Sequence, residues 1–160
     1  MVASFQMRTG KDLKRISAEL RSMGNKRLQR EFSKELRSAA KPMVPAVRQA
    51  IRQIPSQRGY TADGLRGRMS KAVKLEVRPT GKLAGVRIRV DGRKMPSHEK
   101  ALQSYMEGLK KPWRHPVFGN REVWVKQDPS PYFYKTVRPL GLRTRSNVNK
   151  AMDRVAKQIV

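Results

Sequence analysis

The chain contains no cysteine. That excludes a disulfide framework, a thiolate metal site and a cysteine nucleophile. It also fits a reducing compartment. Histidine is nearly absent: His98 and His115 lie 17 residues apart, without metal-ligand spacing. The few carboxylates are scattered singly, with no pair of the kind that acid–base hydrolysis uses. Gly64-Leu-Arg-Gly67 lacks the lysine and the preceding strand of a phosphate-binding loop. No apolar run approaches the roughly 20 residues of a membrane span. The N-terminus has no apolar signal-peptide core, so the chain is expected to be made soluble and not exported by the general route. These absences predict a non-enzyme with no cofactor, no bound metal, no small-molecule substrate and no membrane partner.

Acidic charge is the next shortage. Only 12 Asp and Glu stand against 37 Lys and Arg, which leaves a net charge of +25. Such a chain repels itself and attracts polyanions: DNA, RNA, an anionic membrane or an acidic protein surface. The excess is not a tail. Residues 1–60 carry 14 basic and 4 acidic side chains, residues 61–128 carry 16 and 7, and residues 129–160 carry 7 and 1. The cations alternate with apolar positions, as on faces of ordered elements. A length of 160 residues suits one domain with a core of its own.

Periodicity divides that domain into three parts. Residues 1–54 are an N-terminal helical segment. Leu13, Ile16, Leu20 and Met23 recur at helical spacing, and Gly24-Asn25 reads as a stop and restart. A longer helix to Ile54 carries Leu28, Phe32, Leu36, Ala39, Met43, Val47 and Ile51 on one face and Lys and Arg on the other. Pro42 and Pro45 predict a kink or break near Lys41. Residues 64–128 form a β region with an inserted helix. A tight turn or short helix over 63–69 leads into it. Val73, Leu75 and Val77 alternate with Lys74, Glu76 and Arg78; Val86, Ile88 and Val90 alternate with Arg87 and Arg89. This predicts an antiparallel hairpin with one apolar and one basic face. A helix is expected over 97–109, and a third strand at Val123-Trp124-Val125. Residues 129–160 form a C-terminal amphipathic helix, with Pro139 and Gly141 as places to bend or break. The fold class is α+β: a long N-terminal helix, a small antiparallel β-sheet with an inserted helix, and a C-terminal helix.

Aromatics are few, at 6% of the chain, but six of the ten fall within residues 113–134. The cluster is either the knot of the core or a docking surface. Burial tendency favours the core for Phe118, Trp124 and Phe133. Trp113, His115, Tyr132 and Tyr134 lie among prolines and cations and read as partly exposed anchors. On the hairpin, Lys74, Arg78, Arg87 and Arg89 are candidate contacts for DNA phosphate or an acidic partner. The bland alternative is a solvated basic surface.

The run Trp113-Arg-His-Pro-Val-Phe-Gly-Asn120, then Trp124-Val-Lys-Gln127, then Pro131-Tyr-Phe-Tyr134 resembles a family of small minor tail, tail-completion and head–tail joining (neck) proteins. These belong to tailed double-stranded DNA phages, and the likeness is greatest to those of actinobacteria. Upstream, Leu36-Arg-Ser-Ala-Ala-Lys-Pro42 and the Gly-Leu-Arg turn at Gly64 keep the same order. The resemblance covers the chain from about residue 25 onward. It implies a virion protein of the neck or tail, assembled in the host cytoplasm. It implies a homo-oligomeric ring, six-fold or twelve-fold, around the DNA channel, without catalysis or cofactor. The partners would be neighbouring connector, tail terminator or tail tube proteins and packaged DNA. Within that ring, Trp113, His115, Phe118 and Trp124, flanked by Tyr132 and Tyr134, would form one subunit surface, and the N-terminal helix the other. The alternative is a sequence-independent basic nucleic-acid-binding protein.

Overall fold

Period-two alternation over residues 73–90 builds a hairpin. In the computed structural model, β2 (Val73–Arg78) pairs antiparallel with β3 (Gly85–Val90), placing Leu75 opposite Ile88 and Glu76 opposite Arg87. The structure describes residues 2–7, 10–56, 59–111, 113–117 and 120–159. The third strand of this sheet is β1 (Ser4–Met7), which joins the free edge of β3 in the order β1-β3-β2. The expected third strand at Val123–Val125 exists, but it belongs to a separate two-stranded ribbon. The N-terminal segment reaches the sheet first because the Ala3 amide donates to the Gln103 side chain, 3.2 Å away, and the Ala3 carbonyl accepts from Val90.

The helices lie on the sheet's apolar face. Helix α1 (Gly10–Ser22) buries Leu13, Ile16 and Leu20. Gly24 turns the chain at φ +61°, a conformation that favours glycine, and Asn25 caps α2 (Lys26–Ala40) by accepting from the Leu28 amide. The predicted break falls where proline requires it: α2 stops before Lys41-Pro42, and α3 (Met43–Arg52) starts anew. Pro42 has no N–H for the carbonyl four residues back, whereas Pro45 sits in the first turn of α3, where that donor is not needed. Helix α4 (Leu65–Lys71) leads into β2. The helix expected over 97–109 is realised only as a 3-10 turn (Ser97–Glu99) and the short α5 (Leu102–Met106). Here Glu99 is held sideways by Arg68 of α4, so the turn is anchored across the fold instead of propagating.

The last helix, α6 (Phe133–Ile159), is one element with Pro139 inside it. At 1.5 Å per residue it is about 40 Å long. That length lets it serve two cores. Phe133 and Val137 pack with Met43, Val47, Ile51 and Ile88. Val148, Met152 and Val155 pack with Leu20, Phe32, Leu36 and Val86. Phe5 and Leu75 border both. At Gly141 a β-carbon would stand 3.1 Å from the Phe5 ring, so the small residue lets β1 and α6 approach.

Candidate assembly arm and basic sheet face

The aromatic cluster divides into a root and an arm. Residues 113–127 form the arm: β4 (Trp113–Val117) pairs antiparallel with β5 (Asn120–Gln127), and Pro116 faces Trp124. Both ends of this ribbon meet at one carboxylate. The buried Glu107 accepts the amides of Tyr132, Phe133 and Tyr134 at 2.8, 2.7 and 2.9 Å. It thereby caps the first turn of α6, where amide donors have no helical partner. On the other side, Gly108 (φ +80°) closes α5: its amide reaches the Tyr105 carbonyl, and the Leu109 amide reaches Ser104. The chain therefore leaves and re-enters the body within one hydrogen-bonded clip.

The root aromatics are core. Tyr132 and Phe133 are buried. This corrects the expectation of Tyr132 as an exposed anchor: its amide is needed at Glu107, and its ring follows its backbone inward. The Tyr132 hydroxyl donates to the Gln103 carbonyl, and burial pushes its pKa above the usual range. Tyr134 is half-buried between the edge of the Phe133 ring and the Arg138 guanidinium, with its hydroxyl donating to the Ser4 carbonyl.

The arm is the opposite case. Every substantial packing contact of β4 and β5 is with the other strand. Trp124, for which burial tendency favours the core, is 51% exposed, and Val123 and Val125 are 49% and 40% exposed. Because strand neighbours alternate, Trp124 shows on one face of the ribbon and the two valines on the other. Neither face is turned to the body. Phe118 and the side chains of Trp113 and His115 lie outside the described residues.

The basic sheet face is assembled in register but is largely paired within itself. Arg89 donates to Glu76 at 2.8 Å and contacts Asp91 at 3.2 Å; Lys74 lies 3.8 Å from Glu76. Arg93 grips Asp91 through two nitrogens at 3.0 Å each. That grip, with Arg89 alongside, holds the Asp91 carboxyl down to about 2. Arg87 lies opposite Glu76, yet its Nε is buried without a hydrogen-bond partner among the described residues. Of the four expected contacts, Arg78 is exposed and is in no ion pair among the described residues. Glu76 and Asp91 thus fall between the cations and clasp Lys74, Arg89 and Arg93, while Arg78 and Arg87 stay outside those pairs.

An open groove of about 570 Å³ is lined by Ile54, Leu65, Met106, Arg66 and Arg68 and reaches the arm's root at Gln127. Among the described residues there is no group of three His, Asp or Glu side chains that could hold a metal, and no helix is long and apolar enough to cross a membrane. The sequence reading missed Glu107 and β1. A carboxylate immediately before a helix-ending glycine gives no local hint of a partner 25 residues on. No protein family, curated protein or solved structure matches the chain.

Proposed function

We propose that this chain is a non-catalytic assembly subunit, and that it docks on its neighbours through the β4–β5 arm. The observation that carries the reading is the exposure of Val123, Trp124 and Val125 on a ribbon whose substantial element contacts, among the described residues, are between its own two strands. A two-stranded ribbon is marginal in water by itself. Large apolar side chains left in solvent on such an element mark a surface that a partner covers. Tryptophan is also a residue type that dominates binding energy at interface centres. The rigid clip at Glu107 supports the same reading, since it holds the arm's root to the core and limits the ordering cost of docking.

The setting we propose is the neck or upper tail of a tailed double-stranded DNA phage, as a head–tail connector or tail-completion subunit. The resemblance of the Trp113–Asn120 run and the Pro131–Tyr134 run supports that setting. In a ring the contact is head-to-tail, so the arm of one subunit meets a different surface of the next, the N-terminal helix α1. Two experiments test this. Light scattering on the purified chain at 0.5 M salt should give a defined oligomer, and Trp124→Ala should give a folded monomer. A wild-type monomer under all conditions would remove the arm's role. Lysates of a phage lacking the gene should show separate filled heads and tails; intact particles would remove the setting.

A further inference from the structure

A row of positive charge runs along α2 and ends at its C-cap, Lys41. Arg27, Arg30, Lys34, Arg37 and Lys41 follow one another at spacings of three and four residues, and all five are exposed. At 100° per residue they lie on one line along the helix, directly opposite Leu28, Phe32, Leu36 and Ala39. The line is about 21 Å long, with a cation roughly every 5 Å. Its two acidic neighbours lie off it and are engaged: Glu31 with Arg27 at 3.3 Å, and Glu35 with Arg154 of α6. Among the described residues, Arg30, Lys34, Arg37 and Lys41 have no carboxylate within ion-pair distance.

We infer that this face of α2 is a docking surface for the phosphate backbone of double-stranded DNA. The inference does not rest on the arm or on the phage setting. A straight, uninterrupted row of like charges at constant spacing is complementary to a polymer whose charges also repeat at constant spacing. An acidic protein surface offers scattered carboxylates instead. The row has no aromatic side chain on which an unpaired base could stack, which disfavours a single strand. Its residues are Lys and Arg alone, which position on phosphates and give no sequence preference by themselves. The helix is packed along its whole apolar side, so the row is held straight before the DNA arrives.

The test must separate this row from mere net charge. We compare three forms of the full chain on a random-sequence 30-base-pair duplex, by fluorescence anisotropy across a salt series. The first is wild type. The second carries Arg30→Gln, Lys34→Gln, Arg37→Gln and Lys41→Gln. The third carries Lys11→Gln, Lys14→Gln, Lys82→Gln and Lys100→Gln, four exposed cations that form no line. Glutamine keeps helix propensity close to that of Lys and Arg, and circular dichroism confirms the fold. The α2 variant should flatten the slope of log affinity against log salt by about three to four, with at least a hundredfold weaker binding at low salt. The scattered variant should change the slope by less than about one. Equal losses in both variants would reduce the effect to net charge and overturn the inference. So would an unchanged α2 variant. Equal or tighter binding of single-stranded DNA, or of polyglutamate at the same charge concentration, would overturn the choice of duplex.

Discussion

Tyr132-Phe133-Tyr134 and Val123-Trp124-Val125 are both runs of large apolar side chains only a few residues apart, yet the first triplet is core or half-buried and the second stands in solvent. The difference lies in where the backbone amides go. Those of the first triplet are at a helix start and need an acceptor, which the buried Glu107 supplies. Satisfying them draws the rings into the body. The second triplet is in a two-stranded ribbon that pairs locally and leaves its outward amides to water, so nothing draws its side chains inward. Apolar density therefore says that a stretch will seek cover, and hydrogen bonding decides whether the cover is the same molecule.

The largest effect that separates the two regions is truncation of the root. Phe133→Ala should cost about 3–5 kcal/mol of stability in chemical denaturation, the range for emptying a buried aromatic site. A loss below about 1 kcal/mol would mean that the root is not core. Removing the clip comes next. Glu107→Ala leaves three amides without their acceptor and should cost about 2–4 kcal/mol, with Glu107→Gln in between because one acceptor oxygen remains. If alanine and glutamine were both neutral, the contrast between helix root and ribbon would lose its cause.

Acid should sharpen the contrast by acting on the body alone. Asp91 is held down to about 2 by Arg93 and Arg89, below its ordinary value of 3.8. Its contribution to stability is therefore full above about pH 4 and is lost as pH falls toward 2. Thermal melts of the wild type should drop more steeply across that interval than those of Asp91→Asn; parallel curves would exclude the clasp as a source of the dependence. Both tryptophans lie in the arm, so Trp113→Phe leaves Trp124 as the sole indole. In that background, body unfolding should shift tryptophan emission only slightly while circular dichroism collapses. The smallest stability effect is expected at the arm itself: at protein concentrations where the wild type is monomeric, Trp124→Ala should stay within about 0.5 kcal/mol of it. A loss of 2 kcal/mol or more would make Trp124 part of the body after all.

Much of the fold was legible because it repeats locally. The stripe from Leu28 to Ile51 showed one long helical face, Pro42 showed where it kinks or breaks, and the alternation from Val73 to Val90 showed the hairpin. The candidate site was legible only as a composition. That residues 113–134 were special could be read from the sequence; that Tyr132 is inside and Trp124 outside could not, since both are large aromatics beside prolines or valines. The sheet face was legible in the same partial way. Lys74, Arg78, Arg87 and Arg89 do share a face, but Glu76 and Asp91 join them there and hold Arg89, Lys74 and Arg93. The row on α2 lies in a plain three-and-four spacing, yet only the observed exposure and ion pairs distinguish it from other basic faces.

The sequence by itself determined the α+β class, the charge, the helix and hairpin periods and the absence of cysteine chemistry, because each of these is set by residues within a few positions of one another. Tertiary structure alone decided that Ser4–Met7 completes the sheet, that Glu107 closes the arm's root, and which cations are left unpaired. Each of those depends on a hydrogen bond or ion pair between segments distant in the chain. A four-residue edge strand or a single carboxylate has no periodicity through which its partner could be read.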